Sequence, residues 1–329
     1  MKKLFFYFLF IIVMIFAMPI IFTNTFETKE TVSNDVVYEE NKIVNNYDYG
    51  SLNNIKLLHT ETNEIQEIKL DEYLYGVVAA EMPASYEIEA LKAQAVVART
   101  YTMYKIENKG KHENADICDS SLCCQAWISK ENRMARWEGE DKEKYWNKIV
   151  LAVDSTAGKY ITYENKVINA LFHSNSGGKT ELAINVWGGN YPYLQSVETS
   201  GEENYSTYNS EIEVSRDEFI QKILDKNKDF RINFKEEDSI KILEYTDSGR
   251  VKKIKIGNLE LSGVDVRNIL GLKSSNFNFE ILENSVKFTV KGYGHGVGLS
   301  QSGSDSLAKS GKKYDEIIKH YYKNVEIHE

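Results

Sequence analysis

No long basic cluster occurs in these 329 residues, and the net charge is −9. That balance argues against nucleic acid as the main partner. No Gly-x-Ser-x-Gly elbow is present, so the serine nucleophile of the α/β-hydrolase type is excluded. The dinucleotide fingerprint is missing too. Its nearest approach, Gly292-Tyr293-Gly294-His295-Gly296-Val297-Gly298, puts Leu299 where the last glycine should stand, and no βαβ unit surrounds it. Strands and helices follow no βαβ rhythm, and no internal repeat is evident. Cysteines number three, an odd count that makes a disulfide framework awkward.

What is present begins with an apolar run. Lys2 and Lys3 precede an uninterrupted stretch over residues 4–22, about long enough to cross a bilayer as a helix. No small-x-small cleavage site follows, which favours an uncleaved anchor over residues 1–23. The lysines place the N-terminus in the cytoplasm and the body outside. Residues 24–49 are polar without a periodic apolar face and read as a linker. Twenty-one Tyr and four Trp suit sugar-binding surfaces as well as cores.

The body divides by texture into a core of residues 50–210 and 286–329 and an inserted or second subdomain at 211–285. A hairpin over Ile55–Leu58 and Ile65–Leu70 leads into a short helix that Pro83 ends. Ser85 opens a long helix to about Glu107, on which Ile88, Leu91, Ala95, Ala98 and Thr102 face inward while Lys92 and Arg99 share another face. A helix from Lys142 to Ser155, closed by Gly158, precedes strands at Lys159–Tyr163 and Lys166–His173, joined by a turn at Glu164-Asn165. Val286, Phe288 and Val290 alternate as a strand, and two short helices finish the chain. The expectation is an α+β fold of helices and mostly antiparallel strands, with two subdomains flanking a cleft.

One residue breaks the pattern. Leu74, Val77 and Val78 recur at helical spacing, and the next position on that stripe is Glu81, a carboxylate where leucine is expected. Pro83 puts Glu81 in the last turn, near the negative end of the helix dipole. Dipole and burial both raise a carboxyl pKa, which is what a general acid needs. A glutamate leaning into solvent at the helix end is the alternative.

His112, Cys118, Cys123 and Cys124 share one loop. Thiolate and imidazole together suit zinc, and adjacent Cys123 and Cys124 are expected to point apart, so that one of them joins Cys118. A disulfide in an extracytoplasmic body and free buried thiols are the competing readings. Three ligands would leave a fourth position for water or a ligand from elsewhere. In Phe172-His173-Ser174-Asn175-Ser176-Gly177-Gly178-Lys179-Thr180, neighbouring strand residues point to opposite faces, so His173 does not activate Ser174. Amides and hydroxyls for sugar, or a purely structural turn, are the two uses left for this loop. The alternating glycines around His295 allow close backbone approach to a ligand or a neighbouring strand, and His295 there reads either as a site residue or as a hydrogen-bonded core histidine.

The blocks Ala79-Ala80-Glu81-Met82-Pro83 with Ala90-Leu91-Lys92-Ala93-Gln94-Ala95-Val96-Val97-Ala98-Arg99-Thr100, the Cys118 to Cys124-Gln125 spacing, Ser176-Gly177-Gly178-Lys179-Thr180, and Gly292 through Gln301 occur in this order. Together they resemble the stage II sporulation protein D family. The resemblance implies a lytic transglycosylase of endospore formers, anchored in the mother-cell membrane and acting in the space facing the forespore during engulfment. It implies as substrate peptidoglycan glycan strands stripped of stem peptides. A sporulation amidase or endopeptidase and a membrane scaffold protein are the implied partners. It assigns the catalytic glutamate to Glu81 and zinc ligands to His112, Cys118 and Cys124, with Cys123 extra to that spacing.

Two carboxylates serve ordinary glycosidases, whereas a lytic transglycosylase needs one. Arg99, His173, Ser176 and His295 are the residues expected to position the glycan. A noncatalytic peptidoglycan-binding amidase enhancer and a zinc-dependent hydrolase are the alternative readings.

Overall fold

The computed structural model describes residues 47–108, 110–139 and 141–329. The expected anchor lies outside the described residues, as does most of the linker. Among the described residues no helix is long and apolar enough to cross a membrane.

In chain order the elements are β1 (Asn54–His59), β2 (Glu64–Lys69), α1 (Leu70–Glu81), α2 (Ile88–Glu107), β3 (Ile117–Cys118), α3 (Lys130–Arg136), α4 (Lys142–Asp154), β4 (Tyr160–Tyr163), β5 (Lys166–Val167), β6 (Phe172–His173), β7 (Asn209–Ser215) and α5 (Arg216–Lys226). There follow β8 (Ile240–Tyr245), β9 (Val251–Ile256), β10 (Leu259–Ser262), α6 (Gly263–Leu270), β11 (Phe277–Ile281), β12 (Ser285–Lys291), β13 (Leu299–Ser300), α7 (Gln301–Lys309), α8 (Tyr314–Tyr321) and β14 (Glu326–His328). The fold is α+β, with five small sheets among the described residues. Pairing is antiparallel except where β3 joins β1 and β13 joins β6.

Helix α2 is the axis of the first core. Ala90, Ala93, Ala95 and Ala98 lie on it fully buried, and their small side chains let α1, α4, α7 and α8 pack around it. It begins three residues later than its sequence suggests, because the chain first turns tightly from Pro83, with the Tyr86 N–H donating to the Pro83 carbonyl at 3.0 Å. Burial on every side also changes Arg99. Expected with Lys92 on a face other than the inward one, it is fully buried.

The sheets depart from expectation at residues 166–173. The turn at Glu164 and Asn165 forms with positive φ at both (50° and 59°), the type I′ geometry that suits a hairpin. After β5, however, the strand stops. The Asn169 N–H donates to the Tyr193 hydroxyl and the Leu171 carbonyl accepts from the Tyr322 hydroxyl. These side chains replace ladder partners, and the chain resumes as β6 against β13. Tyr49, at the end of the expected linker, belongs to the body: its hydroxyl accepts from the Gly158 amide and donates to Asp71.

A second hydrophobic core runs from Val214 to Val290, built from Phe219, Ile223, Ile254, Val266, Phe277 and Phe288 with their neighbours. Two three-stranded antiparallel sheets, β11-β12-β7 and β10-β9-β8, enclose it with α5 and α6. The first core draws on residues before Val197 and after Val297, so the chain leaves one core and returns to it after building the other.

Two buried charges join them. Arg250, between β8 and β9, donates to the Ser176 and Lys179 carbonyls at 2.7 and 2.9 Å. Glu181 accepts from Thr246 at 2.6 Å and from Ser248 at 2.7 Å. Gly296 is a requirement of this junction: φ is +85°, and a Cβ there would lie 2.3 Å from the Arg250 guanidinium.

Candidate active site

Glu81 is the last residue of α1, where Met82 turns extended ahead of Pro83. Leu74, Val77 and Val78 are fully buried on the stripe that leads to it. Glu81 itself is half-buried. The Ala126 N–H donates to its Oε1 at 2.8 Å, and Gln301 Nε2 lies 3.4 Å from its Oε2. Burial raises its pKa; those two bonds oppose the rise and no neighbouring charge contributes. The arrangement is one carboxyl group with one oxygen fixed by a backbone amide and the other meeting a single amide side chain.

Both partners are delivered by local structure. Gly76 on α1 lets the segment after the cysteine loop run directly against the helix, since a Cβ there would lie 2.2 Å from Trp127 Nε1 and 2.7 Å from the Ile128 carbonyl. The Ile128 N–H donates to the Gly76 carbonyl at 3.3 Å. Gln125, buried, donates to the Tyr73 and Thr102 hydroxyls, each at 2.9 Å. Ala126 follows it and so meets Glu81. On the other side Ser300 caps α7, accepting from the Gly303 N–H, and Gln301 is that helix's first residue.

The cysteine loop lies two residues from this contact. Ligand atoms of His112, Cys118, Cys123 and Cys124 all fall within 4.8 Å of one another. His112 Nε2 is 3.6 Å from the sulfurs of both Cys123 and Cys124, which are 3.9 Å apart. A tetrahedral zinc with sulfur at about 2.3 Å spans about 3.8 Å between ligand sulfurs, so the residues fit that ion. The chemistry agrees: burial raises the Cys118 and Cys124 thiol pKa values, and a cation is what would reverse this. Cys123 and Cys124 are expected to point apart, but both place their sulfurs in the cluster, so all four side chains are available as donors. Cys123 and Cys124 sit in a turn in which both N–H groups donate to the Ser120 carbonyl, and strand alternation does not apply there. All three cysteines are free thiols, and with His112 they offer four candidate donors.

The glycine-flanked loops serve mainly as frame. Buried Glu202 accepts from the Ser176 N–H and hydroxyl, the Gly178 N–H and the Thr199 hydroxyl, at 3.0, 2.6, 2.9 and 2.8 Å. The Ser300 hydroxyl also donates to it. Ser176 is fully buried, so its hydroxyl holds the frame instead of presenting to a ligand. Arg99 does likewise: it donates to the carbonyls of Val153, Thr156 and Lys159 at the end of α4 and pairs with Asp71 at 3.4 Å. Neither joins Glu81.

His173 is buried, with Nδ1 on the Val297 carbonyl at 3.1 Å, and its pKa falls to about 3 through burial and the Arg250 charge. His295, half-buried, has its pKa pushed well below the usual range by burial and by His173. The two rings lie 5.6 Å apart, and the Trp187 ring lies tilted against His295 with centroids 4.8 Å apart. Both are therefore neutral near pH 7. Gln301, Glu202, Glu181 and Arg250 escaped the sequence reading. Gln301 ends the Gly292–Gln301 block, but its contact with Glu81 spans 220 residues of chain.

A family model described as stage II sporulation protein matches residues 58–163, and one described as a domain of unknown function (DUF8618) matches residues 192–298. Stage II sporulation protein D of Bacillus subtilis (strain 168) is 35% identical over 278 residues, covering 84% of this chain and 79% of that protein. Its counterpart in Bacillus amyloliquefaciens is 35% identical over 278 residues, covering 84% and 78%. The amidase enhancer of Bacillus subtilis (strain 168) is 27% identical over 302 residues, covering 76% of this chain and 39% of that protein.

Proposed function

This chain belongs to the stage II sporulation protein D family, and we propose that it is a peptidoglycan lytic transglycosylase with Glu81 as its one catalytic carboxyl group. The observation that carries this reading is Glu81 itself: a half-buried carboxyl of raised pKa at a helix end, with no neighbouring charge shifting it. Ordinary glycosidases pair two carboxylates across the scissile bond. An anhydro-forming reaction uses one group twice.

In that reaction the protonated Oε2 of Glu81 gives its proton to the glycosidic oxygen as the bond to C1 of N-acetylmuramic acid breaks. The resulting carboxylate takes the proton from the sugar's own C6 hydroxyl as that oxygen bonds to C1. The product is a 1,6-anhydro end; no water is consumed and Glu81 finishes protonated. The Ala126 N–H holds Oε1 away from the transfer. Gln301 Nε2 is placed to stabilise the carboxylate formed midway. The strand would lie in a cleft between the two cores.

His112, Cys118, Cys123 and Cys124 would hold zinc. When bound, zinc supplies charge that keeps the thiols deprotonated and a crosslink that stiffens the loop leading to Ala126. A four-donor sphere has no open position for water, which weighs against a zinc-dependent hydrolase. Peptide-stripped glycan strands are the proposed substrate, with a sporulation amidase or endopeptidase supplying them and a membrane scaffold protein holding the enzyme. The proposed location is the mother-cell membrane, body facing the forespore.

The likeness to the amidase enhancer favours one second reading, a noncatalytic peptidoglycan-binding module that stimulates an amidase. Digestion of amidase-treated sacculi followed by mass spectrometry separates the two. We expect anhydro-muropeptides from wild type and none from Glu81→Gln. Equal release by both proteins would refute the assignment of Glu81, and sacculus binding without cleavage would support the second reading.

A further inference from the structure

Around His295 the structure gathers aromatic faces and positive charge. The Trp187 ring, 55% exposed, lies 4.8 Å from His295. Tyr293, 40% exposed, carries Lys273 Nζ 4.2 Å above its ring. The Gly294 N–H donates to the Lys273 carbonyl at 3.0 Å and so ties the two segments together. Arg267, half-buried on α6, is near enough for its charge to disfavour protonation of both His173 and His295. Among the described residues neither Arg267 nor Lys273 pairs with a carboxylate, and the only charge interaction of Arg267 that opposes its desolvation is with the Tyr293 hydroxyl. In a chain of net charge −9, two unneutralised cations beside two exposed rings require an explanation.

Exposed indole and phenol faces pack on the apolar faces of sugar rings. A planar guanidinium matches a carboxylate in bidentate geometry, and an adjacent ammonium adds charge without that geometry. Patch and proposed acid also share one strand: the His295 loop runs into β13, whose Ser300 pairs with His173 in β6, and Gln301 follows at Glu81. Gln301 lies six positions after His295, at most about 20 Å of chain.

We propose that Arg267, Lys273, Trp187 and Tyr293 form a subsite for an acidic sugar, binding the ring of a muramic acid and the free carboxylate of its lactyl ether. This rests on the glycan reading of Glu81 and deepens it. A muramic acid that still carries its stem peptide has that carboxylate tied up in an amide, neutral and bulky. The subsite therefore selects strands from which an amidase has already removed the peptide.

The test is a binding comparison in the full chain carrying Glu81→Gln, which prevents cleavage. Two preparations of soluble glycan of equal length serve as probes, one with free lactyl carboxylates and one with them converted to methyl amides. The expected preference is about tenfold for the free acid, as befits a charge-assisted contact, shrinking as salt rises. Adding Arg267→Gln brings the ratio towards one. Adding Trp187→Ala weakens both probes alike, because a ring face does not sense the charge. Lys273 is exposed, so Lys273→Gln provides a second variant should Arg267→Gln melt early; it too must reduce the ratio. Absence of any preference, or a preference that survives both substitutions, overturns the subsite. Cleavage of the free-acid strands by the chain with Glu81 intact is measured alongside. If it fails while Arg267→Gln still abolishes the preference, the transglycosylase reading falls and the subsite stands. If cleavage proceeds and the preference survives, the subsite falls alone.

Discussion

Arg250→Met tests whether the second core is fastened to the first by one buried cation. The Arg250 side chain is 1% exposed and makes three hydrogen bonds, to the Ser176 and Lys179 carbonyls and to the Ser248 hydroxyl at 2.8 Å. Burial lowers its pKa to about 10, so it remains charged at neutral pH. Methionine fills part of the volume but leaves two carbonyls without donors and the buried Glu181 carboxylate without its nearby cation. Removing one member of a buried charge arrangement costs about 3–5 kcal/mol, and about 4 kcal/mol is the expectation here. With a urea slope of about 3 kcal/mol/M for a body of this size, the unfolding midpoint falls by over about 1 M. Equilibrium urea unfolding followed by tryptophan fluorescence measures it. Glu181→Gln combined with Arg250→Met costs less than the sum of the two, since both side chains meet at Ser248. An unchanged midpoint for Arg250→Met, or strict additivity of the pair, would refute the reasoning.

The raised Glu81 pKa carries a stability signature of definite sign. The folded state prefers the protonated acid, so its contribution is complete below the ordinary glutamate range and is lost as pH rises through the raised value. Glu81→Gln lacks that loss. Thermal melts across pH should show the glutamine variant matching wild type in acid and exceeding it at neutral pH; a gap independent of pH would contradict this. Gln301→Ala removes a donor that favours the carboxylate, so the alkaline limb of the pH–rate profile for anhydro-product release moves to higher pH. A fixed limb, or one moving to lower pH, would show that Gln301 does not act on Glu81. For the metal, elemental analysis should find one zinc per wild-type chain, with occupancy reduced in Cys123→Ser as in Cys118→Ser. Full retention by Cys123→Ser against a competing chelator would return the site to three protein ligands.

Local patterns were legible where one short stretch decides the outcome. The stripe of Leu74, Val77 and Val78, the stop at Pro83, the hairpin turn at Glu164-Asn165 and the alternation of Val286, Phe288 and Val290 all describe elements that form as their sequence indicates. What local pattern could not supply was burial from all sides. Arg99 reads as one face of an amphipathic helix, yet four helices surround α2 and the guanidinium turns to carbonyls at the end of α4. Likewise the Lys166–His173 strand breaks because Tyr193 and Tyr322, distant in sequence, take over its backbone partners. The candidate site was legible as Glu81 and the metal donors, since an acid on an apolar stripe and a cluster of thiols announce their chemistry. Gln301 and Glu202 were not, because a glutamine and a glutamate in polar surroundings carry no signal until the fold brings their partners together.

The four sequence blocks read best as a single frame with one reactive group. Glu202 binds the Ser176–Gly178 loop and the Ser300 cap at once, which fixes the start of α7 and with it Gln301. The cysteine loop, anchored through Gln125 to Tyr73 and Thr102, presents the Ala126 amide from the opposite side. Glu81 is thus held between two independently braced donors, each weak alone. In the proposed anhydro-forming reaction such pre-organisation would count most, because Glu81 would serve as acid and then as base within one turnover and neither role allows the carboxyl to swing away. Loosening either brace should therefore lower turnover more than it lowers glycan affinity.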